Sequence, residues 1–261
     1  MRDMRHFLST AALAALVGAG AAPAFAANLV TNGGFEGVSG NANPNFFLSD
    51  DAGNLTGWTT STNDDSNNIL FASPTGVATR HDGAKFGFWS TSGVTASPDG
   101  GNFVAFDGDP TPGARQTMSQ MISGLTTGQS YTLTFDWAAT QYEFVNGPAG
   151  DWSGATTNQF QVSLGGDVQD TSRVDVASRG FTGWMTDTMT FTAASASEVL
   201  SFVSEGGGTA LPPVALLADV SLTGDVPGAV PEPATWAMMG MGFAGLGLMA
   251  YRRGRKALAI G

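Results

Sequence analysis

Ser130-Tyr131-Thr132-Leu133-Thr134-Phe135-Asp136-Trp137-Ala138-Ala139 is the stretch that decides the fold. Tyr131, Leu133, Phe135, Trp137 and Ala139 alternate with Thr132, Thr134, Asp136 and Ala138, a period of two that belongs to a β-strand with one apolar and one polar face. Such a strand buries its apolar face against a second layer. Similar alternations run from Asn102 to Phe106, Gln159 to Leu164, Met185 to Phe191, Val199 to Val203 and Val214 to Thr223. Turn-rich stretches separate them: Ser123 to Gly128, Gly165-Gly166-Asp167 and Gly206-Gly207-Gly208. No helical period intervenes, so the expected fold is all-β, an antiparallel β-sandwich. Two segments rich in Asn, Asp, Gly and Ser, Asn41 to Thr79 and Tyr142 to Asn158, read as surface loops, where functional side chains concentrate.

Both ends carry targeting chemistry. Arg2 and Arg5 precede an apolar run from Phe7 to Ala22 and the small-x-small triplet Ala24-Phe25-Ala26, so residues 1–26 are expected to be a secretory signal peptide. Residues 27–225 form the exported domain, and 226–233 a linker ending in Val230-Pro231-Glu232-Pro233. Residues 234–251 form an apolar run near the minimum for a transmembrane helix, with Gly240, Gly242, Gly245 and Gly247 inside it. Residues 252–261 carry Arg252, Arg253, Arg255 and Lys256, which the positive-inside rule keeps cytoplasmic while the domain lies outside.

The 261-residue chain has a net charge of −11, and six of its eleven basic residues sit in the two ends, so the domain is more acidic still. That surface repels phosphate backbones and anionic lipid, which argues against nucleic acid and peripheral membrane binding and leaves divalent cations and neutral glycans as partners. Cysteine is absent, which excludes disulfides, thiolate metal sites and cysteine nucleophiles. His81 is the one histidine after the signal, and no Gly-x-Ser-x-Gly elbow, His-Glu-x-x-His helix or phosphate loop occurs. No catalytic residue is assigned, and the chain reads as non-catalytic. Paired carboxylates for glycoside hydrolysis keep a secreted polysaccharide hydrolase as an alternative.

Pro231-Glu232-Pro233, the short glycine-rich span and the terminal arginines resemble the PEP-CTERM signal of Gram-negative bacteria that make exopolysaccharide. The resemblance implies an exosortase as sorting partner, transient insertion in the inner membrane through the C-terminal helix, and transfer to the cell surface or matrix. Asn28-Leu29-Val30-Thr31-Asn32-Gly33-Gly34-Phe35-Glu36, Gly57-Trp58 and Ala218-Asp219-Val220-Ser221-Leu222 resemble galactose-binding-like jelly rolls, including several carbohydrate-binding modules. That likeness implies a structural calcium held by Glu36 and Asp219, and calcium does take hard oxygen ligands. Alternation along the last strand leaves open whether Asp219 turns to solvent instead. The turn Asp107-Gly108-Asp109-Pro110 offers a second carboxylate pair but lacks a full ligand series.

Sugar recognition calls for aromatic faces with polar neighbours. Trp58, Tyr142 and Trp152, in or beside the long loops, are the candidates, with Asp136, Arg115 and Gln141 as polar partners; Trp137 and Trp184 are assigned to the core. The expected function is a non-catalytic exported surface or matrix protein, associated with exopolysaccharide or biofilm. A structural envelope protein without ligand is the other reading.

Overall fold

The computed structural model describes residues 27–40, 46–47, 54–60, 68–73, 77–79, 83–89, 93–94, 96–108, 115–146, 153–208, 212–224 and 238–246. The expected signal peptide, Val230 to Pro233, His81 and Trp152 lie outside them.

The first strands are short: β1 (Val38–Ser39), β2 (Phe46–Phe47), β3 (Asn54–Leu55), β4 (Thr59–Thr60), β5 (Ile69–Phe71) and β6 (Ala78–Thr79). β7 (Lys85–Phe88), β8 (Phe103–Asp107) and β9 (Thr117–Ser123) lead into the longest, β10 (Ser130–Asn146). β11 (Thr156–Leu164), β12 (Asp167–Asp170), β13 (Val174–Val176), β14 (Met185–Thr192), β15 (Ser197–Gly208) and β16 (Pro213–Gly224) follow.

One sheet has the order β2-β5-β8-β16-β10-β7-β6 with β14 also on β10, and the other β12-β11-β15-β9-β4 with β13 on β11. Their pairings are antiparallel. The alternation predicted for Ser130 to Ala139 holds: Leu133, Phe135 and Trp137 share one buried core with Met118, Phe160, Val162, Leu200 and Phe202 of the opposite sheet. Edge-to-face rings join the layers, Phe135 to Phe202 at 5.2 Å and Phe106 to Phe160 at 5.1 Å between centroids. This is the antiparallel β-sandwich of jelly-roll type that the sequence leads one to expect.

A second apolar cluster covers one end of the other face of the larger sheet, where Phe71, Phe103, Tyr142 and Leu216 pack with the half-buried Phe86, Phe88, Phe181 and Trp184. The first half of β16 is therefore covered on both faces, which is why its first six residues are all buried.

Three expectations fail here. Asn41 to Thr79 is no plain surface loop: it holds β2 to β6 and buries Leu55, Trp58, Ile69, Leu70, Phe71 and Ala78. Strands of two or three residues are too short to show a period. Tyr142 to Asn158 shrinks in the same way, because β10 runs on to Asn146 and β11 begins at Thr156. Gly206, Gly207 and Gly208 lie inside β15 rather than in a turn. A Cβ on Gly206 would overlap Pro213 and stand 2.7 Å from the Gly108 carbonyl oxygen, so close backbone approach requires glycine there.

The chain divides into two compact units, residues 26–228 and a second made of both ends. In the second unit, residues 238–246 form a helix exposing Met239, Phe243 and Leu246. Among the described residues no helix is long and apolar enough to cross a membrane; of the expected span 234–251, only 238–246 is described.

Candidate functional site at the bulge of the last strand

The turn after Val30 is built by two residues in the left-handed region, Asn32 (φ 56°) and Phe35 (φ 60°). Asn32 suits it because its amide substitutes for backbone partners: Gly37 N–H donates to Asn32 Oδ1 at 2.7 Å, and Asn32 Nδ2 donates to the carbonyls of Gly37 and Thr56 at 3.0 and 3.1 Å. The turn is clamped onto β16 through Leu29 N–H to the Leu222 carbonyl (2.8 Å) and Val220 N–H to the Gly33 carbonyl (3.1 Å). Leu222 N–H also donates to Asn28 Oδ1 at 2.9 Å. A Cβ on Gly33 would overlap the Val220 carbonyl oxygen, so only glycine lets the first segment lie this close to the last strand.

β16 carries a bulge at the same place. Its register against β10 shifts between Thr134 and Asp136, and Asp219 stands at φ 52°. Leu217, Val220 and Leu222 all face the inter-sheet core, so the inserted residue swaps the faces of the strand. Alternation along the last strand leaves the direction of Asp219 open, and the bulge is why: it puts Leu217 and Val220 on one face with two residues between them.

The bulge brings Asp219 under the charges of Asp99, Asp136 and Glu36. Asp99 accepts from Gly101 N–H at 2.8 Å and from the Ser97 hydroxyl. Glu36 Oε1 accepts from Asn102 N–H at 3.0 Å. A Cβ on Gly101 would lie 3.0 Å from both Asp99 Oδ1 and Glu36 Oε1, so these two carboxylates flank one glycine. Burial, a hydrogen bond to Asp99 and the surrounding negative charges push the Asp219 carboxyl up to about 7. Hydrogen bonds from Ser97 and Gly101 hold Asp99 below the usual carboxylate range. Below about pH 7 the proton between the two carboxyls therefore resides on Asp219.

The two residues expected to hold calcium are thus drawn toward one locus, joined by Asp99, which sequence reading missed because it lies in a turn far from both. Asp219 Oδ2 is buried with no protein partner, and an all-oxygen donor set suits calcium by chemistry. Among the described residues, however, no three acidic, histidine or cysteine side chains converge closely enough to form a metal site.

Two of the three aromatic candidates are corrected. Trp58 is only 8 % exposed, wedged between Phe35 (5.6 Å) and Phe202 (6.4 Å), and its indole N–H donates to the Asn32 carbonyl at 3.0 Å. Tyr142 is buried in the second cluster, stacked on Phe88 at 5.8 Å. Burial, then the charge of Asp107, raises its hydroxyl well above the ordinary phenol range. Neither ring offers a face to a sugar, because each fills apolar volume that nothing else covers. Trp137 and Trp184 do serve the apolar clusters. Arg115 pairs with Glu205, and Gln141 is buried, donating to the Gly154 carbonyl.

Asp136 does lie on an open sheet face, within a lattice of hydroxyls. Across β14, β10 and β16 the rows are Thr190, Thr132, Thr223 and then Thr188, Thr134, Ser221. Thr186, in the next row, donates to Asp136 Oδ1 at 2.6 Å. All point away from the core, and Thr186, Thr188 and Thr190 are exposed. Neighbouring strands place these groups ~4.8 Å apart, and alternate residues ~6.7 Å apart along each strand.

Residues 229–256 match the family model described as the PEP-CTERM protein-sorting motif. The chain carries a PEP-CTERM sorting signal. That signal implies export and sorting by an exosortase at the C-terminal end. No curated protein matches the chain. Among solved structures, TmCBM61 in complex with β-1,4-galactotriose is similar at 17 % identity, covering 76 % of this chain and 99 % of that one, with a TM-score of 0.40. The CBM22-1 xylan-binding domain of Xyn10C from Paenibacillus barcinonensis is similar at 12 % identity, over 64 % and 85 %, TM-score 0.33. The K1 cleaved adhesin domain of Lys-gingipain from Porphyromonas gingivalis is similar at 14 % identity, over 64 % and 90 %, TM-score 0.36.

Proposed function

We propose that this chain is a non-catalytic protein of the Gram-negative cell surface or extracellular matrix, sorted by an exosortase and contacting exopolysaccharide through the hydroxyl face of its larger sheet. The sorting motif at 229–256 supports delivery. The observation that carries the contact is the row pattern of Thr132, Thr134, Asp136, Thr186, Thr188 and Thr190 on one exposed face. The threonine hydroxyls can donate to or accept from sugar hydroxyls, and the Asp136 carboxylate can accept from them and favours neutral over anionic polymers. A delivered scaffold without ligand is the alternative.

In the producing cell, Glu232→Ala should leave the protein in the membrane fraction at its unprocessed mass; normal release would refute exosortase recognition of the motif. Purified residues 27–224 should bind the producer's exopolysaccharide, and the pair Thr134→Val with Thr188→Val should weaken that binding at least several-fold. Equal binding by the variant would reject the face, and no binding by the parent would leave the scaffold reading.

We also propose calcium held by Glu36 and Asp219 together with backbone carbonyls, supported by the unpartnered Asp219 oxygen and by the negative charges of Asp99, Asp136 and Glu36 that act on Asp219. Calcium would fasten the first segment to the last strand. A melting temperature unchanged by calcium or chelator would reject it.

A further inference from the structure

The inter-sheet core does not stay apolar along its whole length. At one end Asn68, Gln116, Asn158 and Ser204 are each fully buried. They lie on the inner faces of the two sheets: Asn158 and Ser204 follow the burial alternation of β11 and β15, in step with the core residues Phe160 and Phe202. Asn68 precedes β5 opposite Phe106 of β8, as the register of Ile69 with Ala105 requires.

They are also neighbours. Ser204 N–H donates to the Gln116 carbonyl at 3.1 Å, and Ser204 pairs with Phe160, two residues along the strand from Asn158. Gln116 reaches across the sandwich, where its Oε1 accepts from Asp107 N–H at 2.8 Å. A Cβ on Gly108 would stand 2.9 Å from Ser204 Oγ, which places the end of β8 directly over that hydroxyl.

Both amide atoms of Asn68, both of Asn158, Nε2 of Gln116 and Oγ of Ser204 have no hydrogen-bond partner in the protein. Native interiors rarely leave such groups unmet, and ordered water is the usual partner when a buried site is polar. The set is balanced: amide N–H groups donate, amide oxygens accept and the hydroxyl does both. It carries no charge to favour a cation over water. Its donors and acceptors come from both layers, so a bridging molecule would tie one sheet to the other.

We infer that Asn68, Gln116, Asn158 and Ser204 form an internal hydration site, a small cluster of ordered water molecules that bridges the two sheets at this end of the sandwich. The apolar core stops at Phe106 and Phe160, and the water layer begins beyond them.

Residues 26–228 form a compact unit with their own core, so the isolated domain is the right sample. In water-selective NMR, the side-chain NH2 protons of Asn68, Asn158 and Gln116 should show direct cross-peaks to water whose sign marks residence longer than about a nanosecond. Absence of such cross-peaks from all three, in a domain with well-dispersed amides, would overturn the proposal. Asn158→Leu should remove or weaken the water cross-peaks of Gln116; unchanged cross-peaks in a folded variant would show that no shared cluster exists. If that variant does not fold, the parent spectrum decides alone. Shifts of these amides on adding sodium or calcium chloride would assign the site to an ion and reject water.

Discussion

The carboxyl groups of Asp219 and Asp99 share one hydrogen bond, with Asp219 pushed up to about 7 and Asp99 held below its usual range. The sign for stability follows. Asp219 binds its proton more tightly when folded than when unfolded, so its contribution is fully present below pH ~4 and is lost as pH rises toward 7. Asp99 acts oppositely, and its contribution is lost as pH falls below the ordinary carboxylate range. The melting temperature should therefore decline from pH 5 to pH 8 in the absence of calcium. Asp219→Asn should flatten that decline, since asparagine keeps the left-handed backbone and removes the titration; thermal melts across pH check it.

Calcium at the proposed site would compete with the Asp219 proton for the same oxygens, so the two effects should be linked. At pH 7.5 calcium should raise the melting temperature, by an amount equivalent to ~2.7 kcal/mol when its concentration is a hundred times Kd. At pH 5 the rise should shrink, and in Asp219→Asn it should largely vanish. Melts with calcium and with chelator at both pH values decide the point.

Gly33→Ala forces a methyl group against the Val220 carbonyl oxygen. Separating the first segment from the last strand should cost ~1–3 kcal/mol and lower the melting temperature by roughly 3–10 °C. Gly34→Ala is the control, because nothing lies within 4 Å of a Cβ there. Calorimetry of both variants measures the difference.

Trp58 is a core residue, so Trp58→Ala should destabilise by ~3–5 kcal/mol, read by urea unfolding. Thr134→Val and Thr188→Val, on the open face, should stay within ~0.5 kcal/mol of the parent. Loss of polysaccharide binding in the threonine variants would then report on contact rather than on folding.

The strand from Ser130 was legible because one face of it is apolar without interruption and the other polar. β9 was missed, since Gln116 and Gln120 occupy inward positions and break its pattern. Trp58 and Tyr142 were misread because an aromatic residue among Asn, Gly and Ser looks exposed; their burial depends on partners such as Phe202 and Phe88, distant in sequence.

The sequence by itself determined what local periodicity and short motifs encode: the all-β architecture, and the sorting signal that a reader such as an exosortase meets as a linear segment. Tertiary structure alone decided the sites, because they depend on where the chain returns. Asp99 joins Glu36 and Asp219 only through the turn around Gly101 and the bulge of the last strand. The hydroxyl lattice exists only because β10 places its threonines in register with those of β14 and with Ser221 and Thr223 of β16. A period of two specifies which face a residue takes, but a bulge or a register is set by packing between segments far apart in the chain.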